Sequence, residues 1–256
     1  MNISKEKITK NPIINYFKNK KEKNKIKYSL EPELFNELYR IKRISLNDIS
    51  NKEFDASGQE YSNTCGIACL RNYLYNKFNI LFPNEYNLIK LAEDLYIAKK
   101  YFKEEGISNQ YEIKNNGSFQ IHLTNITSFF DLKYFSGKNG TIDDIIKLNE
   151  QDIPVIIYRK ENKNDKWGHF LIAYQTLIEE KKIVLFDPSY RGERPKQNIK
   201  HNGTHKKESF KIFKNRWKIN DNYKTEKNQN ISDCFYSFIL EKREKPIGKF
   251  RGYYIY

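Results

Sequence analysis

The hydrophobic pattern changes period partway along the chain, and that change limits the fold more than any other feature. Before residue 150, apolar residues recur at helical spacing: Leu34, Leu38 and Ile41, then Ile67, Leu70 and Leu74, then Leu88, Leu91, Ala92 and Leu95. After Pro154 they come in short runs of β-branched and aromatic residues at 155–158, 169–176, 182–186 and 235–240. The spacing predicts helices over 31–43, 65–76, 85–103, 118–130 and 142–149, with Thr64 and Thr141 as N-caps. A short strand is expected at 133–136, and 104–118 reads as a Gly/Asn-rich break. The closing residues 253–256 suit an edge strand or a packed tail. Helices followed by strands predict an α+β domain, its N-terminal helical part packed on an antiparallel sheet.

Charge divides the chain differently. The formal net charge is +14 over 256 residues. Residues 1–56 carry 13 Lys/Arg against 8 Asp/Glu, and 188–256 carry 17 against 7, whereas 57–187 carry 16 against 17. The basic excess lies in the flanks, so nucleic acid is not the expected partner of the neutral middle. Three parts follow: a basic N-terminal extension with a helix (1–56), a core (57–190), and a basic C-terminal segment completing the sheet (191–256). Aromatics at 15% exclude wholesale disorder. No apolar run approaches the roughly 20 residues of a membrane helix. The N-terminus lacks the apolar stretch of a secretory signal, which points to the cytoplasm or to non-classical export.

Three sequence blocks carry chemistry. In the first, the polar stretch Gln59-Glu-Tyr-Ser-Asn-Thr leads into Cys65-Gly66, and Cys65 opens a predicted helix. Unpaired N–H groups and the positive end of the helix dipole favour thiolate there. Gly66 would admit a substrate backbone, and the Gln59 amide is a candidate oxyanion donor beside the Cys65 N–H. In the second, Gly168-His169-Phe170 starts an apolar strand, with Trp167 as a shield or packing residue. In the third, Asp187-Pro188 ends the next strand. Taken singly, Cys65 also suits a buried helix cysteine, His169 a structural histidine and Asp187 a strand-ending turn. Taken together, a hairpin turning at residue 178 would set His169 opposite Asp187. The carboxylate would then orient the imidazole, whose other nitrogen faces the thiol.

The blocks Gln59…Cys65-Gly66-x-Ala68-Cys69-Leu70, Gly168-His169-Phe170 and Asp187-Pro188 together resemble the bacteriocin-processing cysteine peptidases. These are papain-like enzymes that remove double-glycine leader peptides, often as part of an ABC exporter. The stretch from Thr141 to Ile157 is similar to that family's helix and following strand. The resemblance covers roughly residues 57–190. It implies a papain-like cysteine peptidase fold, Cys65 as nucleophile, His169 as base, Asp187 as its orienter and Gln59 in the oxyanion hole. It implies a peptide or protein substrate and a possible separate exporter. The chain departs from the pattern in having Thr64 where an Asp commonly precedes the nucleophile. It also has a 104-residue interval from Cys65 to His169, no following ATPase or membrane domain, and a basic tail after Asp187.

Two other readings stay open: a catalytically silent basic binding module on a peptidase-like scaffold, and a toxin or effector peptidase acting in another cell. Cys69, one turn beyond Cys65, reads as core. Cys69, Cys234, His122, His201 and His205 show no structural-zinc spacing, so neither a metal nor another cofactor is expected. His201 and His205 fall in a Lys-rich stretch expected to be a solvated loop.

Overall fold

A computed structural model describes residues 42–43, 54, 56–104, 113–118, 120–160, 168–189, 203–218, 234–241, 248–251 and 253–255. In chain order the elements begin with β1 (Lys42–Arg43), α1 (Cys65–Phe78), β2 (Ile80–Leu81) and α2 (Glu85–Glu104). Next come α3 (Ile113–Asn116), α4 (Gln120–Phe129), β3 (Leu132–Gly137), α5 (Ile142–Asn149) and β4 (Val155–Arg159). The strand-rich half holds β5 (His169–Leu177), β6 (Lys182–Asp187), β7 (Thr204–Ser209), α6 (Phe210–Trp217), β8 (Tyr236–Glu241), β9 (Gly248–Phe250) and β10 (Tyr253–Ile255).

The main sheet has six strands in the order β3-β8-β4-β5-β6-β7, every pairing antiparallel. Because side chains alternate across a strand, β4 feeds two cores at once. Ile156 joins Ile67, Leu70, Leu88, Leu123, Phe170, Ile172 and Phe186 on the face covered by α1, α2 and α4. Val155 and Ile157 join Ile145, Leu148, Leu171, Leu185, Phe213 and Trp217 under α5 and α6. Both faces are covered, which is why 155–158 is apolar without alternation. Each fully buried Leu or Ile contributes about 1.5–3 kcal/mol. The fold is α+β with helices on an antiparallel sheet, as expected, and α5 and α6 add helical cover on the second face.

The expected elements are present with shifted ends. Helix α1 runs to Phe78, because Asn79 adopts a left-handed conformation (φ 55°) and returns its N–H to the Leu74 and Tyr75 carbonyls. Thr141 caps α5 in a full capping box with Asp144. The helix expected over 31–43 lies outside the described residues except for its last two, which instead pair as β1 with β2. Four residues of the expected break at 104–118 form α3. The basic stretch that holds His205 contains β7 and α6. The C-terminal 253–255 forms a two-stranded ribbon with β9. Trp167 and His201 lie outside the described residues. His205 is not in a loop but in β7, its Nδ1 3.0 Å from the Tyr174 hydroxyl.

His122 is buried in α4 against the Tyr96 ring, and burial lowers its pKa to about 4. It folds neutral, so its contribution is present above pH ~6.5 and is lost as pH falls through that value towards 4. About 3 kcal/mol of stability is expected to disappear across that window. His122→Phe should flatten this part of the stability–pH curve in urea titrations. An unchanged slope would refute the assignment.

Candidate active site

Cys65 is the first residue of α1. The Thr64 side chain makes no cap bond to the helix, contrary to the capping role its position suggests. Its hydroxyl donates instead to the Tyr61 carbonyl at 2.9 Å. The backbone N–H groups of Gly66 and of Phe170, at the start of β5, favour the charged Cys65 sulfur.

His169 opens β5, and its Nε2 lies 2.7 Å from Asp187 Oδ1 at the end of β6. Nδ1 is then the ring nitrogen left to bond the Cys65 thiol. Asp187 is fully buried. Its Oδ1 also accepts from the Ser189 N–H at 2.9 Å and the Ser189 hydroxyl at 2.6 Å. Lys206, reaching from β7, pairs with Oδ2.

The hairpin joining His169 to Asp187 forms as expected in kind but in a different register. Ile172 faces Phe186, two residues off the expected pairing, and a bulge lies between Ala173 and Gln175. Asp187 therefore reaches His169 along a diagonal rather than from directly opposite.

Electrostatics favour charge separation. Burial raises the Cys65 pKa. The His169 charge and hydrogen bond, with the Phe170 and Gly66 N–H groups, outweigh it, and the thiol ends below its ordinary value. For His169 burial works downward, but the Cys65 sulfur and the Asp187 carboxylate push the imidazolium well above the usual range. Asp187 is pushed up by burial and held far down by His169, Lys206 and Ser189. The three groups therefore favour a thiolate, an imidazolium and a carboxylate in line, titrating as one coupled set. Cys69 is wholly buried, and burial with the neighbouring charges of Cys65, Asp187 and Glu85 drives its pKa up. It stays a thiol, as its core reading implies.

Gln59 sits beside this set, because its backbone N–H donates to the Pro188 carbonyl at 2.8 Å. Its Nε2 is turned into its own loop, donating to the Tyr61 carbonyl at 2.8 Å and the Ser62 carbonyl at 3.0 Å. The loop itself is stapled to α1. Arg71 donates to Glu60 Oε1 (2.7 Å) and the Gly58 carbonyl (2.9 Å), and Asn72 donates to the Ser57 carbonyl (2.8 Å). Gly66 serves a different purpose from the one its sequence suggests. A Cβ there would overlap Ser118 Oγ and press on the Phe170 ring at 3.1 Å. The glycine lets the chain's own residues close over the helix start, rather than leaving room for a substrate backbone.

Two participants escape the sequence reading. Ser189 follows Asp187 by two residues, the Asx-turn spacing that could have flagged it. Lys206 had no such signal, since it stands among other lysines.

The sequence matches no protein-family model and no curated protein. Among solved structures, it is similar to the peptidase domain of Streptococcus ComA, described as a bi-functional ABC transporter involved in a quorum-sensing pathway. The TM-score is 0.46 and the identity 13%, over 74% of this chain and all of that one.

Proposed function

We propose that the protein is a cysteine peptidase in which Cys65, His169 and Asp187 form the catalytic triad. The carrying observation is the 2.7 Å contact of the His169 ring with the buried Asp187 carboxylate, with Cys65 opening a helix and its thiol electrostatically coupled to that ring. A thiolate at a helix N-terminus, facing an imidazolium on the sheet, is the papain-like arrangement.

The reaction follows from the charges. The Cys65 thiolate attacks the peptide carbonyl, and the C–N bond breaks as the His169 proton passes to the leaving amine. Neutral His169 then takes a proton from water, which attacks the thioester and releases the acid and the thiolate. Asp187 keeps the ring oriented and stabilises its charged form. The helix-terminal N–H of Cys65 supplies one oxyanion donor. Gln59 supplies the second by giving up one of its two loop carbonyls when substrate arrives.

The test is cleavage of a proteome-derived peptide library with products mapped by mass spectrometry. Cleavage should vanish after iodoacetamide has labelled Cys65 at pH 6, where an ordinary thiol reacts slowly. Undiminished cleavage by fully labelled protein would end the proposal. Gln59→Ala is expected to lower kcat about 10²-fold with little change in KM, as loss of one oxyanion donor does. A rise in KM alone would assign Gln59 to substrate binding or loop structure instead.

A further inference from the structure

We propose that Lys206 is a positioning residue for the triad, a half-buried counter-cation that divides the Asp187 carboxylate into one oxygen for His169 and one for itself. This rests on reading Cys65, His169 and Asp187 as the catalytic groups. Asp187 Oδ1 collects three donors: His169 Nε2 at 2.7 Å, the Ser189 N–H at 2.9 Å and the Ser189 hydroxyl at 2.6 Å. Oδ2 points the other way, to Lys206 Nζ, in a pair whose side chains are 13% (Lys206) and 0% (Asp187) exposed.

The pairing is built by the sheet edge. Asp187 faces Thr204 across β6 and β7, and Lys206 stands one same-face step further along, opposite Leu185. A long side chain at that position can return to the strand end, where the carboxylate sits. Without it, the buried Asp187 carboxylate would lose a cation that helps fix which of its oxygens faces His169.

Lys206 also moderates the site electrically. Its charge opposes that of Asp187 as His169 feels it, so the imidazolium is stabilised less than by an unpaired carboxylate. The same charge favours the Cys65 thiolate. Removing it should therefore shift both limbs of thiolate reactivity to higher pH, because imidazolium loses its proton later and the thiol ionises later. One unit charge at this range in a partly buried site corresponds to about one pH unit. Among the described residues, the charged or titratable groups coupled to Asp187 include His169 on β5 and Cys69 on α1, with Cys65 on α1 and Glu85 on α2 acting on Cys69 in turn. Burial raises the Glu85 pKa to about 7.

The experiment compares wild type, Lys206→Met and Lys206→Arg. For each, the rate of iodoacetamide alkylation of Cys65 is followed by peptide mapping from pH 4 to 11 on protein shown folded by circular dichroism. Cleavage of a library-selected peptide is measured beside it. Lys206→Met should move both limbs up by about one pH unit and lower kcat/KM at pH 7 about tenfold. Lys206→Arg, keeping charge and donor, should stay within about twofold of wild type on both readouts. Wild-type limbs in folded Lys206→Met would overturn the proposal. If that variant does not fold, Lys206→Gln is read in its place. If neither neutral variant folds while Lys206→Arg does, the role is structural and the proposal falls. A protein that cleaves nothing but whose limbs move refutes the peptidase and keeps the pairing. Cleavage with unmoved limbs does the reverse.

Discussion

Cys65→Ala is expected to lower kcat/KM for a library-selected peptide by at least about 10⁴-fold, and His169→Ala by a similar factor. The double variant should be no worse than either single one. The reason is the shared charge state: the thiolate exists because the imidazolium does, and each pKa is moved chiefly by the other group once burial is overcome. Groups that act as a unit lose activity as a unit. His169→Ala should also return the Cys65 thiol towards its ordinary pKa, so alkylation at pH 6 should slow about tenfold or more while Cys65 remains in place. The half-buried Cys65 side chain packs few atoms, so Cys65→Ala should keep the unfolding midpoint of the wild type. Additive losses in the double variant, or a His169→Ala protein with unchanged alkylation, would remove the ion pair from the mechanism.

How much of this was legible beforehand depends on what kind of physics places each residue. Cys65, His169 and Asp187 each stand at an element boundary, and boundaries are written in local sequence: a polar loop before an apolar helix, a Gly before a strand, a Pro after one. One hairpin, which short-range pattern also shows, joins His169 to Asp187, whereas Cys65 is brought to them by the packing of α1 on β5. The register of that hairpin was not legible, because the bulge at Ala173/Gln175 arises from packing on both faces rather than from a Gly or Pro marker. Lys206 was hidden for a related reason. A lysine in a basic stretch looks solvated, and only the β6–β7 pairing turns this one inward. Strand β8 likewise could be recognised as a strand, but its place between β3 and β4 could not. Local residues do not encode the order of strands joined by long connections. The Thr64 side chain looked like a cap and bonded the Tyr61 carbonyl instead, since a tight turn before a helix offers a threonine two acceptable partners.

Arg71→Met should be the most destabilising single change outside the triad, by about 3–5 kcal/mol at pH 8. Arg71 is 5% exposed and holds Glu60 Oε1 at 2.7 Å, while Glu60 Oε1 also accepts the Glu85 N–H at 3.0 Å and the Glu60 N–H bonds back to Glu85 Oε2. Glu85 is wholly buried; burial raises its pKa, and the Arg71 charge and neighbouring hydrogen bonds pull it back only to about 7. Methionine fills the volume but leaves two carboxylates without their cation. The sign of the pH dependence follows from Glu85. A carboxyl whose folded pKa lies above its unfolded value adds stability at low pH and loses it as pH rises through the folded value. Without Arg71 that folded value climbs further, and the loss extends above pH 7. The deficit of Arg71→Met relative to wild type should therefore be smaller at pH 6, where Glu85 keeps its proton, than at pH 8. Urea midpoints at the two pH values measure this directly, and equal deficits would mean that packing, not charge, accounts for the arginine. The same change should lower kcat, because Arg71 is what ties the loop bearing Gln59 to the helix bearing Cys65. On the proposed function, stability and catalysis meet in that one guanidinium: the cation beside buried Glu85 also ties the loop bearing Gln59 to the helix bearing Cys65.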